Sequence, residues 1–319
     1  MKRVVSVSIG SSRRNHVAEV KVLGEEFRIE RIGTDGDLDR AAALIRELDG
    51  QVAALGLGGI DLYLWAGSRR YTFRDARRLA AQARRTPVVD GSGLKQSLER
   101  RVVRQLADDP RVALRGKRVL MVSAVDRVGM AEAFDRIGCP LVFGDILFAL
   151  GLPIPIRSLK ALNAAARVVL PVLTQLPFRW VYPTGSKQEI NTPRFTRYFD
   201  EAQVIAGDFL YISRYMPPRL DGKVILTNTV TAADEQRLRE RGVAWLVTTT
   251  PELEGRSFGT NVIEALLIAI SGRHPGELTG DDYLRLLDQI GFQPRVQALQ
   301  TGQVSVHSTS NLLLAAQEG

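Results

Sequence analysis

Apolar positions in the first hundred residues switch repeatedly between a period of two and a period near 3.6. Residues 4–10 (VVSVSIG) alternate β-branched and small side chains and end on a glycine, the pattern of a first strand. Residues 17–33 predict one or two further strands about the turn Gly24-Glu25. Leu38, Ala41, Ala42, Ile45 and Leu48 then recur at helical spacing behind Asp37, whose side chain suits an N-cap. A short apolar run over 52–57 opens into Gly58-Gly59-Ile60-Asp61, a helix with a basic outer face is predicted over 74–83, and 87–90 reads as another short strand. After Gly91-Ser92-Gly93, the stripe Leu94, Leu98, Val102 and Leu106 predicts a helix over 94–106.

A charged, proline-containing stretch over 108–117 interrupts this alternation and predicts a domain boundary between Asp108 and Lys117. A second series follows. Residues 118–123 (RVLMVS) have the apolar character of a buried strand, 130–137 read as a helix stopped by Gly138, and 141–143 as a strand ending at Gly144-Asp145. Strands over 203–206, 223–226 and 244–247 alternate with helices over 232–241 and 261–271, and an amphipathic helix covers 278–290. The expectation is an α/β chain of two domains: residues 1–112 as an N-terminal α/β domain, and 113–319 as a Rossmann-like, doubly wound parallel sheet with a helical insertion at 146–200.

Within that insertion, 146–156 (ILFALGLPIPI) and 168–178 (VVLPVLTQLPF) carry no charge and are flanked by Arg157, Lys160, Arg167, Arg179, Trp180 and Tyr182. Both runs are too short, and too broken by proline, to span a bilayer. A dimer interface or a lid over the cleft is favoured over contact with a membrane surface, and a homo-oligomer is expected.

Composition sharpens this only in places. The net charge is +8, and residues 68–118 hold fifteen Lys or Arg against five Asp or Glu. Such a surface attracts anions, so a small anionic substrate is expected; solvated helix faces account for the charge more simply than nucleic acid does. Cys139 is the single cysteine and the three histidines are scattered, which excludes an internal disulfide and disfavours a transition-metal site. The N-terminus lacks an apolar run of signal-peptide length, so a soluble, cytoplasmic protein is expected.

Candidate chemistry gathers at strand ends. The turn Ser123-Ala124-Val125-Asp126-Arg127-Val128-Gly129 stands where a dinucleotide-binding loop would lie, with only Gly129 of its three glycines intact. Asp145, about twenty residues on, is placed to accept from ribose hydroxyls and to repel a 2′-phosphate, which points to NAD over NADP. Ser123, Asp126, Gly129, Asp145, Asn228 and Thr249 are therefore the candidate cofactor-binding residues. Ser11, Ser12, Arg13, Ser92, Arg256 and Asn261 are candidates for the substrate, because Gly-Ser-Gly at a helix start forms an anion nest and Arg256, between Gly255 and Gly259, offers a bidentate clamp. Lys95 lies in the first turn of its helix, where a cation is unfavourable. Buried there with a lowered pKa, it would serve as a general base held by Asp61 or Asp90.

With Ser11-Ser12-Arg13-Arg14-Asn15-His16 after the first strand and Lys95 near the end of the first domain, the arrangement resembles the shikimate/quinate dehydrogenase family. The usual Asn-Val-Thr-x-Pro-x-Lys setting and the glycine-rich turn are both absent. The resemblance implies an NAD-dependent oxidoreductase acting on a hydroxylated carboxylic acid, with Lys95 taking the alcohol proton. The alternative is a non-catalytic Rossmann-like ligand-binding or regulatory protein, dimeric or membrane-associated; Asp126 in the turn favours it.

Overall fold

The computed structural model describes residues 1–181, 191–250, 252–253 and 256–300, with only the backbone described at residues 179, 252, 253, 256 and 257. The chain opens with β1 (Lys2–Ser8) and the hairpin of β2 (His16–Val22) and β3 (Glu25–Gly33), turning through Leu23 and Gly24 at positive φ. Helix α1 (Leu38–Leu48) begins where Asp37 accepts the Arg40 N–H at 2.9 Å, as its sequence predicts. After β4 (Ala54–Gly58) comes a small hairpin, β5 (Tyr63–Ala66) and β6 (Arg69–Thr72), which the sequence reading missed. Helix α2 (Arg74–Ala80) and the short β7 (Val88–Val89) complete a five-stranded sheet of order β2-β3-β1-β4-β7, parallel except for β2.

Helix α3 (Ser92–Gln105) leads away from this sheet into β8 (Val119–Met121), α4 (Val128–Arg136) and β9 (Leu141–Phe143). The insertion supplies α5 (Leu159–Leu173), α6 (Phe178–Val181) and α7 (Thr196–Glu201). Next come β10 (Val204–Ala206), α8 (Phe209–Tyr215), β11 (Val224–Thr227), α9 (Ala232–Glu240) and β12 (Trp245–Thr248). A two-stranded ribbon, β13 (Glu252–Leu253) and β14 (Arg256–Ser257), precedes α10 (Thr260–Ser271), α11 (Gly280–Gln289) and β15 (Arg295–Ala298). The second sheet has the order β15-β12-β11-β10-β8-β9, parallel but for β15. Counted from β8 its parallel strands run 2-1-3-4-5, so the winding reverses between β8 and β10, and ligands of such sheets bind beyond the strand ends at that crevice.

The fold departs from expectation at α10. The helix over 261–271 reads in sequence as part of the second sheet's cover, yet it packs on β1 and β4 of the first. Nine of its twelve residues are buried, so it needs apolar cover on several sides. Facing it, β4 presents Ala54, Gly56 and Gly58; a Cβ at Gly56 would lie 2.9 Å from the Asn261 carbonyl oxygen. Small residues let the helix backbone approach the sheet. One core therefore runs from Val4, Phe27 and Ile29 through α10, α3 and α4 to Val119, Met121 and Phe143, joining both sheets.

The insertion buries its inner face. Ala166, Leu170 and Phe178 join the core of Leu64, Ala66 and Phe73, while Leu152, Ile154, Val168, Val172 and Trp180 are exposed. No helix among the described residues is long and apolar enough to cross a membrane. Residues 182–190 and 301–319 lie outside the described residues.

Candidate functional site

The carboxyl ends of β1 and β4 face those of β8, β10 and β11 across a cleft of about 770 Å³. The N-termini of α8, α9 and α10 also open onto it, through Phe209, Thr231 and Thr260. Its floor is a chain of buried charges. The Lys95 ammonium donates to Asp61 Oδ1 at 2.9 Å and lies 3.8 Å from Asp126 Oδ2. Arg127 is completely buried; it donates to Glu99 and, at 3.2 Å, to Asp208, with Asp126 also 3.2 Å from its Nε. Ser123 Oγ donates to Asp126 Oδ1 at 2.5 Å, and Asn228 Nδ2 to Asp208 at 3.4 Å. Two cations thus serve four carboxylates, of which Asp61 (18% exposed) and Asp208 (27%) still show oxygen to the cleft.

The electrostatics correct the role expected of Lys95. Burial pulls its pKa down, but the carboxylates of Asp61, Asp126 and Asp90 outweigh that and raise it above its ordinary value. Lys95 is therefore a fixed cation at neutral pH and cannot serve as a base. Asp90 does not hold it by hydrogen bonding: its Oδ2 accepts from Leu62 N (2.6 Å) and Tyr63 N (3.3 Å), and its Oδ1 from Ser92 N (3.1 Å). It organises the turn that brings β5 and α3 together.

One wall is built differently. Strand alternation puts Arg31 on the same face as Phe27 and Ile29, at a position where an apolar residue belongs. Its guanidinium donates to Ser11 O (3.0 Å) and Ser8 Oγ (2.9 Å), and burial pulls its pKa down to about 10, helped by nearby Arg14. Among the described residues no carboxylate lies within ion-pair distance of Arg13, Arg14 or Arg31. Asn261 Nδ2 donates to Ser6 Oγ at 2.7 Å, pinning the start of α10 to β1.

Of the residues singled out from sequence, Lys95, Asp61, Asp90, Ser123, Asp126, Asn228, Arg13 and Asn261 line this cleft. The others do not. Ser11 and Ser12 lie in the one-turn helix beside it, where Ser12 N donates to Asp35 at 2.7 Å. Ser92 is buried in the first turn of α3, and Thr249 is buried behind β11. Arg256 falls in β14, its side chain outside the described residues. Gly129 answers to helix packing, since a Cβ there would lie 2.2 Å from the Gln96 carbonyl oxygen and force α4 off α3. The residues missed, Ser6, Ser8, Arg31 and Thr260, left a signal: polar side chains at strand or helix positions whose neighbours are core.

Residues 93–299 match the family model described as "Domain of unknown function (DUF8754)". The chain belongs to the DUF8754 family. Residues 3–90 of this DUF8754 chain match a second model, "Domain of unknown function (DUF8753)". The two models divide between residues 90 and 93, at the N-terminal end of α3; the boundary expected from sequence lies past its other end. No curated protein matches the chain. Solved structures similar to it include GanP, a glucose-galactose binding protein from Geobacillus stearothermophilus (10% identity, 93% of this chain and 97% of that one, TM-score 0.39). An ABC transporter solute-binding protein from Burkholderia multivorans matches at 12% identity over 87% and 96% (TM-score 0.36), and hetero-hexameric glutamate dehydrogenase from Thermus thermophilus at 13% over 91% and 74% (TM-score 0.40). At such scores the likeness goes no further than a mixed α/β architecture.

The turn itself corrects the expected NAD-dependent oxidoreductase. Within the chain, the residues at the turn do not fit a dinucleotide. The N–H groups of Ala124 and Val125 donate to Asp145 Oδ1 (2.9 and 3.1 Å), so they are spent. Asp145 faces an apolar pocket with Leu162, Ala166 and Leu170, where its other oxygen has no partner and burial pushes its pKa up to about 6. Arg127, paired with Asp126 at 3.2 Å, is completely buried and presents no guanidinium to a phosphate.

Proposed function

We propose that this chain is a non-catalytic small-molecule-binding protein that holds a hydroxylated ligand in the cleft between its two sheets. The observation that carries this is the floor. Each of its buried cations is paired with carboxylates, so it offers carboxylate and amide hydrogen-bond partners at fixed positions, while its one lysine is held protonated. Asp61, Asp208 and Asn228 accept from and donate to ligand hydroxyls in this reading. The two sheets act as two lobes, the second Rossmann-like, closing on the ligand from opposite sides.

Titration calorimetry of the full chain against neutral monosaccharides and polyols tests it. At least one is expected to bind, and Asp61→Asn or Asn228→Ala to weaken it about tenfold, the loss of a hydrogen bond to a buried group. A folded sample that binds none of them, or that oxidises a hydroxy acid with reduction of NAD, would overturn the proposal.

A further inference from the structure

We propose that the cleft ligand carries a phosphate group, seated between the Arg31 guanidinium and the N-terminus of α10. This rests on the ligand-binding reading above and names the chemistry of its second contact.

Two independent features converge on one wall. The first is Arg31. Its register opposite Ser6 on β1 and His16 on β2 and its two hydrogen bonds hold the guanidinium in place. Arg13 and Arg14 stand beside it on the one-turn helix. Asp35 attracts Arg31 only from beyond ion-pair distance and accepts from the backbone at Ser12, so partly desolvated positive charge is left on this wall. The second is the start of α10, a twelve-residue helix whose N-cap, Gly259, supplies no side-chain acceptor. Thr260 lines the cleft at 3% exposure, and its hydroxyl has no hydrogen-bond partner. A buried hydroxyl without a partner at an uncapped helix end is a standing cost that an oxyanion removes.

The two features are joined. Ser8 accepts from Arg31, Ser6 accepts from Asn261, and Ser6, Ser8, Gly259, Thr260 and Asn261 all line the same cleft. Guanidinium N–H groups, a hydroxyl and helix N–H groups outnumber what the two oxygens of a carboxylate can use, and match the three of a phosphate monoester. The acid surplus of the floor repels the same group. The ligand is therefore oriented with phosphate on the wall and hydroxyls over Asp61 and Asp208.

The test is calorimetry of the full chain with inorganic phosphate, acetate, glucose 6-phosphate and glucose. Phosphate and glucose 6-phosphate are expected to bind, acetate at least tenfold more weakly. Arg31→Met should weaken phosphate at least tenfold, and the isosteric Thr260→Val severalfold without loss of fold, while Arg197→Met, exposed on α7 outside the cleft, leaves inorganic phosphate unchanged. Acetate binding as tightly as phosphate, or phosphate binding unmoved in both Arg31→Met and Thr260→Val, overturns the inference. If neutral sugars bind in an Asp61-dependent way but phosphate does not, this inference alone falls; if nothing binds, the ligand-binding reading falls with it.

Discussion

The floor and the wall of the cleft treat buried charge in opposite ways. At the floor, Arg127 and Lys95 are surrounded by Glu99, Asp208, Asp126 and Asp61, and the charges belong to elements from both halves of the chain. On the wall, Arg31 has hydroxyl and carbonyl partners and no carboxylate in reach. Matched charges hold architecture, because separating them strands a charge in low dielectric. An unmatched one leaves binding energy for something that arrives later.

Breaking the floor is expected to have the largest effect. Arg127→Met strands Glu99 and Asp208 and should lower unfolding stability by about 3–5 kcal/mol in urea titration. Adding Glu99→Gln should restore part of the loss; a double variant no better than the single would mean the pair is not the source. Gly129→Ala comes next. It pushes the first turn of α4, and with it Arg127, away from α3, and should cost roughly 2–3 kcal/mol through overpacking.

A third buried group belongs to neither set. Glu264 accepts from Tyr283 at 2.8 Å, its other oxygen has no partner, and burial together with the Asp90 carboxylate pushes its pKa up to about 8. The folded state therefore keeps a proton that the unfolded chain releases near its ordinary pKa of 4.5. Stability contributed by this group is full below that value, falls as pH rises toward 8, and is flat beyond. Glu264→Gln should remove that slope, which reaches about 1.4 kcal/mol per pH unit between pH 5 and 8. Identical slopes in wild type and variant would show the carboxyl to be ionised in the fold.

The smallest effect sharpens the contrast most. Arg31→Met should change stability by about 1 kcal/mol or less, the net worth of ordinary hydrogen bonds, while removing anion binding. A loss as large as that of Arg127→Met would mean that the wall, like the floor, is structural.

Much of this was legible in the chain. Alternation and helical stripes placed β1, α1, α3, β8, α9 and α11 within a few residues, because local periodicity reports which face is buried. Asp37 as a cap and the turns at Gly24 and Gly138 follow from local backbone chemistry alone. The burial of Lys95 and its pairing with Asp61 were also readable, as an awkward cation beside a nearby acid. The hairpin over 63–72 was not. Leu64, Ala66 and Tyr71 face the core, but its other face carries Tyr63 under the Arg70 guanidinium at 4.0 Å and so does not read as a plain polar side.

What only the tertiary structure decided is which of these local pieces meet. Sequence determined that Asp126 and Arg127 share a turn; the packing of α3 against α4 decided that Arg127 points inward to Glu99 and not outward to a phosphate. Sequence determined that residues 261–271 form an apolar helix; the glycines of β4 decided that it lies on the first sheet, bringing Thr260 to the cleft that Arg31 also lines. A charge's pKa and a helix end's partners depend on neighbours tens or hundreds of residues away, and periodicity carries no information about them.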